Sequence, residues 1–163
     1  MPDKPQKTPW IWRSMRWLNP HAARNIRRGF GPASMVLLLT TTGRKSGLPR
    51  ETPLQFEEWD GLIYIGSARG AQADWFRNIQ ADPHVQIEIG GRRSSGLAEA
   101  VVEPDRIADF LQMRLERHPW MIGLLMRLEG LPLVYKRPDL ERFARGKALV
   151  VIRQCREQAP ASR

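Results

Sequence analysis

The sequence predicts a mainly β domain (α+β) with helices at both ends and one helix inserted between strands. Short apolar or alternating runs fill the region from 34 to 103, and glycine-containing turns separate them. A helical pattern extends from Pro104 to Arg145, and a last strand follows over Lys147 to Arg153. The strand count is roughly six, which suits a small barrel.

The strands before the last one are predicted from hydrophobic periodicity, over residues 35–40, 50–59, 62–65, 85–89 and 96–102. The first is continuously apolar, as expected for a strand covered on both faces. Alternation of side chains across the two faces is clearest in the second and in the run from Val85 to Ile89. Asp60-Gly61 and Gly90-Gly91 favour two-residue hairpin turns, because such turns need positive φ at their central positions.

Helices are predicted before, between and after the strands. The chain up to about Gly31 has a helical pattern in pieces. Asp74 is placed as the cap of a short helix that ends at Asp82-Pro83. Pro104 begins a longer helix, and His118-Pro119 stops it. Two further helices follow, over residues 120–128 and 139–145.

Length and composition favour a single globular domain. The 163 residues are 42% hydrophobic and 26% charged, as in ordinary globular proteins. A lone cysteine, Cys155, excludes an intramolecular disulfide and fits a reducing, cytoplasmic location. No apolar run approaches the roughly 18 residues that a membrane span needs. We expect a helical arm over residues 1–31, a barrel domain over 32–155 and a disordered tail over 156–163.

Basic residues are concentrated in the predicted N-terminal arm. The formal net charge of the whole chain is +9, and residues 1–30 carry seven Lys and Arg against one Asp. Trp10, Trp12 and Trp17 lie among these arginines, a pattern that fits peripheral contact with a membrane surface through residues 1–18. The alternative is a helix that packs on its own barrel with its arginines solvated. Nucleic acid is not an expected partner, because no recognised binding module accompanies the charge.

Metal and hydrolase chemistry find no support in the motifs. His21, His84 and His118 lie far apart, and none has Cys, Asp or Glu at metal-ligand spacing, so no metal site is predicted. The segment Gly66-Ser67-Ala68-Arg69-Gly70 has the wrong spacing for a Gly-x-Ser-x-Gly nucleophile elbow.

The most informative segment connects the first two predicted strands, from Thr40 to Arg50. Gly43 and Gly47 allow positive φ, so that successive N–H groups can point into one concavity. Three cations and a hydroxyl accompany them: Arg44, Lys45, Arg50 and Ser46. Such a turn suits a phosphate or carboxylate group. The alternative is a solvated hairpin turn, since Gly, Ser and Lys are ordinary turn residues.

Taken in order, the motifs resemble the deazaflavin-dependent nitroreductase family. The similar segments are Leu37 to Gly47, Arg50, Thr52-Pro53-Leu54, Gly66 to Gly70, Asp74 to Ile79 and Ala81-Asp82-Pro83. That family is similar to the split β-barrel flavin-binding proteins and uses reduced coenzyme F420. The resemblance covers roughly residues 36 to 102, and it implies a six-stranded split β-barrel of the FMN-binding type.

The resemblance also implies a cofactor-binding site. The phosphate and glutamyl tail of the cofactor would contact Arg44, Lys45, Ser46 and Arg50, and its ring would contact Pro53 and Leu54. The polar edge of the ring would contact Ser67, Ala68 and Gly70, and Trp75 and Asn78 would form the adjoining wall. Two positions depart from the family pattern. Arg69-Gly70 replaces the usual pair of glycines, and Ala73-Asp74 replaces the proline that often precedes the tryptophan.

The activity implied by the resemblance is transfer of a hydride from reduced F420 to a quinone, a nitro compound or an activated alkene. In such an enzyme the cofactor carries the chemistry and the protein orients it. The proton would come from solvent, from Ser67 or from Tyr135. The alternatives are an FMN-binding flavin reductase of the same fold and a non-catalytic cofactor-binding protein. A small-molecule acceptor is the expected partner, and a homodimer stays open.

Overall fold

The computed structural model describes residues 36–67 and 69–155, which form one curled antiparallel sheet with helices packed on it. The predicted arm over 1–31, with its membrane contact, and the predicted tail over 156–163 lie outside the described residues, as does Ala68. Among the described helices, none combines the length and hydropathy that crossing a bilayer requires.

The described residues contain seven strands and four α-helices. The strands are β1 Val36–Thr42, β2 Pro49–Gln55, β3 Glu57–Trp59, β4 Leu62–Ser67, β5 His84–Ile89, β6 Arg92–Val101 and β7 Ala148–Gln154. The helices are α1 Asp74–Ala81, α2 Pro104–Arg117, α3 Pro119–Leu128 and α4 Arg137–Ala144, and a short 3-10 turn over Gly70–Gln72 precedes α1. The strand order is β2-β1-β5-β6-β7-β4-β3, and every neighbouring pair is antiparallel. Strand β2 also contacts β4, so the sheet curls back on itself.

The predicted count of six strands is wrong, because the expected strand from Arg50 to Trp59 is two strands. The first part, β2, pairs with β1, and the second, β3, pairs with β4 at the opposite end of the sheet. The chain changes partners at Phe56, where the ladder is interrupted. Leu54 and Phe56 both pack against the same core, so the alternating pattern continues through the break and gives no sign of it.

Both predicted hairpin turns are confirmed. Asp60 and Gly61 have φ values of 51° and 71°, and Gly90 and Gly91 have φ values of 55° and 80°. Positive φ at both central positions matches the right-handed twist of the flanking strands. The predicted cap of the short helix is wrong: the capping position is Ala73, and Asp74 is the first helical residue.

Two hydrophobic clusters cover opposite faces of the sheet. The inner cluster is enclosed by the curl and includes Leu37, Ile65 and Phe76, all of which are fully buried. The outer cluster joins α2 and α4 to Val101 and Leu149. Burial of a side chain the size of Phe or Leu stabilises a fold by about 1.5–3 kcal/mol. Helix α1 contacts β1 and β6, and its Phe76 belongs to the inner core, which places the helix beside the β1–β2 turn.

Candidate functional site

The turn between β1 and β2 is held in shape by its own backbone. The Gly43 N–H donates to the Leu48 carbonyl at 2.8 Å, and the Gly47 N–H donates to the Gly43 carbonyl at 2.7 Å. Gly47 has a φ of 66°, and a Cβ added at Gly43 would lie 2.8 Å from the Ser46 Oγ. Gly47 therefore suits its left-handed backbone conformation, and glycine at position 43 avoids crowding, since a Cβ there would also lie 3.0 Å from the Leu48 carbonyl oxygen.

A buried amide fastens this turn to helix α1. The Asn78 Oδ1 accepts from the Arg44 backbone N–H at 3.2 Å and from the Arg44 Nη1 at 3.1 Å. The Asn78 Nδ2 donates to the Thr41 Oγ1 at 3.1 Å. Asn78 is only 4% exposed, so an unpaired amide there would be costly, and each of its polar atoms has a partner. Arg44, Asn78 and Thr41 form what we term the amide clamp.

Arg44 also pairs with the first residue of α1. Its Nη2 lies 3.0 Å from the Asp74 Oδ1, and its Nη1 donates to the Asp74 carbonyl at 3.3 Å. The hydrogen bond from Arg44, with the charge of that guanidinium, holds the pKa of the Asp74 carboxyl below its usual value. Arg44 thus orients the turn on α1, and its predicted contact with a cofactor stays a prediction.

The remaining polar side chains of the turn face solvent. Lys45, Ser46 and Arg50 are exposed, and the Arg50 Nη2 lies 3.5 Å from the Ser46 Oγ. In the described part of the chain, the Lys45 ammonium has no hydrogen-bond or ion-pair partner. Arg50 is the cross-strand partner of Thr41, which places it beside the amide clamp. We term Lys45, Ser46 and Arg50 the cationic rim. Two cationic donors and a hydroxyl are groups that suit a phosphate or carboxylate ligand.

The two predicted ring contacts on β2 lie on opposite faces of the sheet. Leu54 packs against the inner core, whereas Pro53 is the cross-strand partner of Leu38 on the other face. Strand β2 is an edge strand, as expected for a strand that contains proline. The structure therefore places Leu54 on the same face as Arg50, and it places Pro53 on the other.

The end of β4 is tied to the turn that precedes α1. The Ser67 hydroxyl donates to the Gly70 carbonyl at 2.7 Å, and Ser67 is buried. Gly70 has a φ of 55°, and a Cβ there would lie 2.2 Å from the Gly146 carbonyl oxygen, so only glycine fits. Trp75 is half-buried against the inner core and meets Phe76 edge to face. Ser67, Gly70 and Trp75 thus lie in a tightly packed corner.

Ser67 and Tyr135, the two candidate proton donors, are not brought together. Ser67 continues the inward-facing series of Ile63 and Ile65. Tyr135 packs against the outer cluster, on the opposite side of the sheet. The hydroxyl hydrogen of Ser67 is already donated to Gly70. The source of the proton therefore stays open.

Sequence reasoning missed a cleft of about 1000 Å³ between α2 and the outer face of β4, β6 and β7. Its lining is partly aromatic and partly charged, and includes Trp59, Tyr64, Phe110, Met113, Arg106 and Arg153. The Tyr64 and Phe110 rings stack with centroids 5.7 Å apart. None of the predicted cofactor-binding residues that the structure describes lines this cleft. No local pattern could reveal it, because it depends on how a helix docks on strands distant in sequence.

The predicted family resemblance is confirmed by comparison with known proteins. The chain belongs to the F420H(2)-dependent quinone reductase family, whose model matches residues 17–121, more than half of the sequence. The match includes the β1–β2 turn, the whole of α1 and the strands around them.

A curated relative and two solved structures extend this comparison. The F420H(2)-dependent quinone reductase Rv1261c of Mycobacterium tuberculosis is 35% identical over 72 residues, 42% of this chain and 48% of that protein. The chain thus spans about half the length of the curated relatives it matches. The hypothetical protein Rv2991 of Mycobacterium tuberculosis has a TM-score of 0.53 at 21% identity, covering 84% of this chain and 80% of that one. A putative 5-nitroimidazole antibiotic resistance protein of Bacteroides thetaiotaomicron has a TM-score of 0.51 at 12% identity, and the match covers 74% of this chain and 73% of that one. Both structures share the fold.

Proposed function

We propose that this protein is an oxidoreductase that transfers a hydride from reduced coenzyme F420 to a quinone, a nitro compound or an activated alkene. The observation that carries the proposal is the cationic rim, held in place by the amide clamp within the segment that matches the family. A turn fixed in this way presents its donors with little loss of conformational entropy on binding.

The residues of the rim and clamp have separate roles in this proposal. Lys45, Ser46 and Arg50 bind the anionic tail of the cofactor, since they are exposed donors on one turn. Arg44 is a positioning residue, because its guanidinium is engaged by Asn78 and Asp74. When bound, the deazaflavin supplies the hydride.

The packed corner formed by β4 and α1 supplies the ring surroundings in this proposal. Leu54 and Trp75 offer apolar surface at the edge of the inner core, and Gly70 lets the corner pack closely against the Gly146 carbonyl. These side chains would exclude water from the reacting atoms, which strengthens the polar contacts made there. Pro53, Ser67, Ala68 and Asn78 remain predicted contacts.

The proposal is tested by titrating the purified protein with F420 and with FMN, followed by turnover of a soluble quinone by reduced F420. We expect F420 to bind more tightly than FMN and the quinone to be reduced. Tighter binding of FMN would identify a flavin reductase of the same fold instead. Binding of F420 without reduction of a quinone, a nitro compound or an activated alkene would identify a non-catalytic cofactor-binding protein.

We propose further that the curled sheet closes as a split β-barrel over residues 32–155. The approach of β2 to β4 supports this closure. Four further features remain proposals: peripheral membrane contact of residues 1–18, a disordered tail over 156–163, a cytoplasmic location and a homodimer. Sedimentation equilibrium measures the last of these directly.

A further inference from the structure

Helix α3 and the loop after it expose an unusual amount of apolar surface. The side chains of Trp120, Leu128 and Val134 are 91%, 79% and 87% exposed. We define the α3 patch as the exposed apolar residues of this segment: Trp120, Met121, Leu124, Leu125, Leu128, Leu133 and Val134. Isolated exposed apolar side chains are ordinary, but a continuous group of this size marks an interaction surface.

The five helical members of the patch lie on the side of α3 opposite its buried residues. At 100° per residue, these five fall within an arc of about 140°. The buried residues Ile122, Gly123 and Met126 fall on the opposite side and face the outer cluster. The helix is therefore apolar on both sides, a pattern typical of helices that are covered on both. Within residues 36–67 and 69–155, the fold covers only the side that carries Ile122 and Met126.

The charges beside the patch indicate what covers the other side. Arg117 and Lys136 precede and follow the patch along the chain, and Arg127 lies between two of its leucines; all three are exposed. The Arg117 Nη1 also donates to the Glu58 carbonyl at 2.9 Å. Glu129 is the one carboxylate between residues 117 and 136, and it lies 3.0 Å from the Lys147 Nζ. An apolar face bordered by cations is complementary to an anionic lipid surface. A second copy of the chain fits less well, because a two-fold contact would bring like charges together.

The length of α3 sets the geometry of this contact. The helix has ten residues, too few to cross a bilayer, so its apolar side can only lie in the plane of the interface. Trp120 at the start of α3 is the residue type that favours the headgroup level. The family match ends at residue 121, so nearly all of the patch lies beyond the segment this chain shares with the family model.

We propose that α3 and the loop to Val134 dock on an anionic lipid surface. In this arrangement the helix lies flat among the headgroups, with Leu124, Leu125 and Leu128 directed toward the acyl chains. A lipid-soluble quinone would then reach the enzyme from the bilayer. Only this last consequence rests on the proposed function, since lipid binding itself needs neither cofactor nor acceptor.

The experiment is co-sedimentation of the full chain, without cofactor, with vesicles of phosphatidylcholine and phosphatidylglycerol in equal amounts. The test variant is Leu124→Ser/Leu128→Ser. The matched control is Leu97→Ser/Val102→Ser, which changes two half-exposed aliphatic residues elsewhere on the surface. We expect the test variant to lose at least about tenfold in partition and the control to bind like the wild type. Partition of the protein onto vesicles of phosphatidylcholine alone should be weaker, by about fivefold for each Lys or Arg that lies near the lipid surface.

Two further readouts keep the outcome specific. Brominated lipid should quench tryptophan fluorescence of the bound protein, and Trp120→Phe should remove part of that quenching. Circular dichroism and turnover of a soluble quinone should be unchanged in the test variant, which separates lipid docking from folding and from the proposed activity. Equal partition of the test variant and wild type overturns the proposal, as does absence of wild-type binding. A concentration-dependent dimer that Leu124→Ser/Leu128→Ser abolishes, without vesicle binding, assigns the patch to a second copy instead.

Discussion

The Asn78 side-chain oxygen lies 3.1 Å from the Arg44 Nη1, and this single buried amide joins helix α1 to the turn between β1 and β2. Its nitrogen reaches Thr41 on β1, so a strand, a turn and a helix meet at one side chain. The cationic rim is therefore presented by a turn whose position depends on tertiary contacts.

Replacement of Asn78 by alanine should destabilise the fold by about 2–3 kcal/mol. The change leaves the Thr41 hydroxyl and the Arg44 backbone N–H without their partner in a buried setting. Urea unfolding measures the loss. Gln80→Ala is the control, because Gln80 is an exposed residue of the same helix and should change the free energy of unfolding by less than about 0.5 kcal/mol. Equal effects of the two variants would contradict the amide clamp.

Replacement of Arg50 by alanine should weaken F420 binding by about 1.5–3 kcal/mol, the range for a charge-assisted contact. The unfolding free energy should hardly change, since Arg50 is exposed. Isothermal titration of variant and wild type gives the dissociation constants. Arg92→Ala is the matched control, because Arg92 is an exposed arginine that directly follows the Gly90-Gly91 hairpin turn. If Arg50→Ala binds F420 as tightly as the wild type, the rim is only a solvated turn.

Replacement of Gly70 by alanine should destabilise the protein far more than the same change at Gly61. Both residues have positive φ, at 55° and 71°, so each alanine incurs a backbone cost of about 1–2 kcal/mol. At Gly70 the new Cβ would also lie 2.2 Å from the Gly146 carbonyl, whereas at Gly61 nothing lies within 4 Å. Thermal unfolding compares the two variants. Similar melting temperatures would show that the backbone around Gly70 can rearrange to accommodate a Cβ atom.

Replacement of Asp74 by asparagine should reduce stability in a pH-dependent way. Arg44 lowers the pKa of Asp74 in the folded protein, so the carboxylate stabilises the fold above the unfolded-state pKa. That contribution is lost as the pH falls through the lowered folded-state pKa. Because Asp74 is exposed, the contribution of its carboxylate to the free energy of unfolding is at most about 1 kcal/mol.

Urea unfolding of wild type and Asp74→Asn from neutral to acidic pH measures this contribution. We expect a constant difference in unfolding free energy above about pH 5 and a shrinking one below about pH 4. High salt should reduce the difference at neutral pH. A difference that persists unchanged in acid would exclude the Arg44 pair as its source.

The turns around this site could be predicted from the sequence because their signals are local, whereas its cofactor contacts stay a prediction. Gly43 and Gly47 beside cationic residues predict an anion-binding turn, and Asp60-Gly61 predicts a hairpin. The partner of Arg44 could not be predicted, because Asn78 lies 34 residues away and meets it only when α1 docks on β1. For the same reason the sequence placed Arg44 among the cofactor contacts, whereas the structure gives it two protein partners.

The sequence by itself determined the family, the two hairpin turns, most helix boundaries and the position of the β1–β2 turn, since each depends on residues close together in the chain. Only the tertiary structure decided the seventh strand, the amide clamp and the α3 patch. The break at Phe56 arises because the curled sheet pairs β2 and β3 with different strands. The exposure of Leu124 and Leu128 arises because the fold covers one side of α3 and leaves the other to solvent. Burial and pairing are set by the packing of distant segments, which local pattern does not encode.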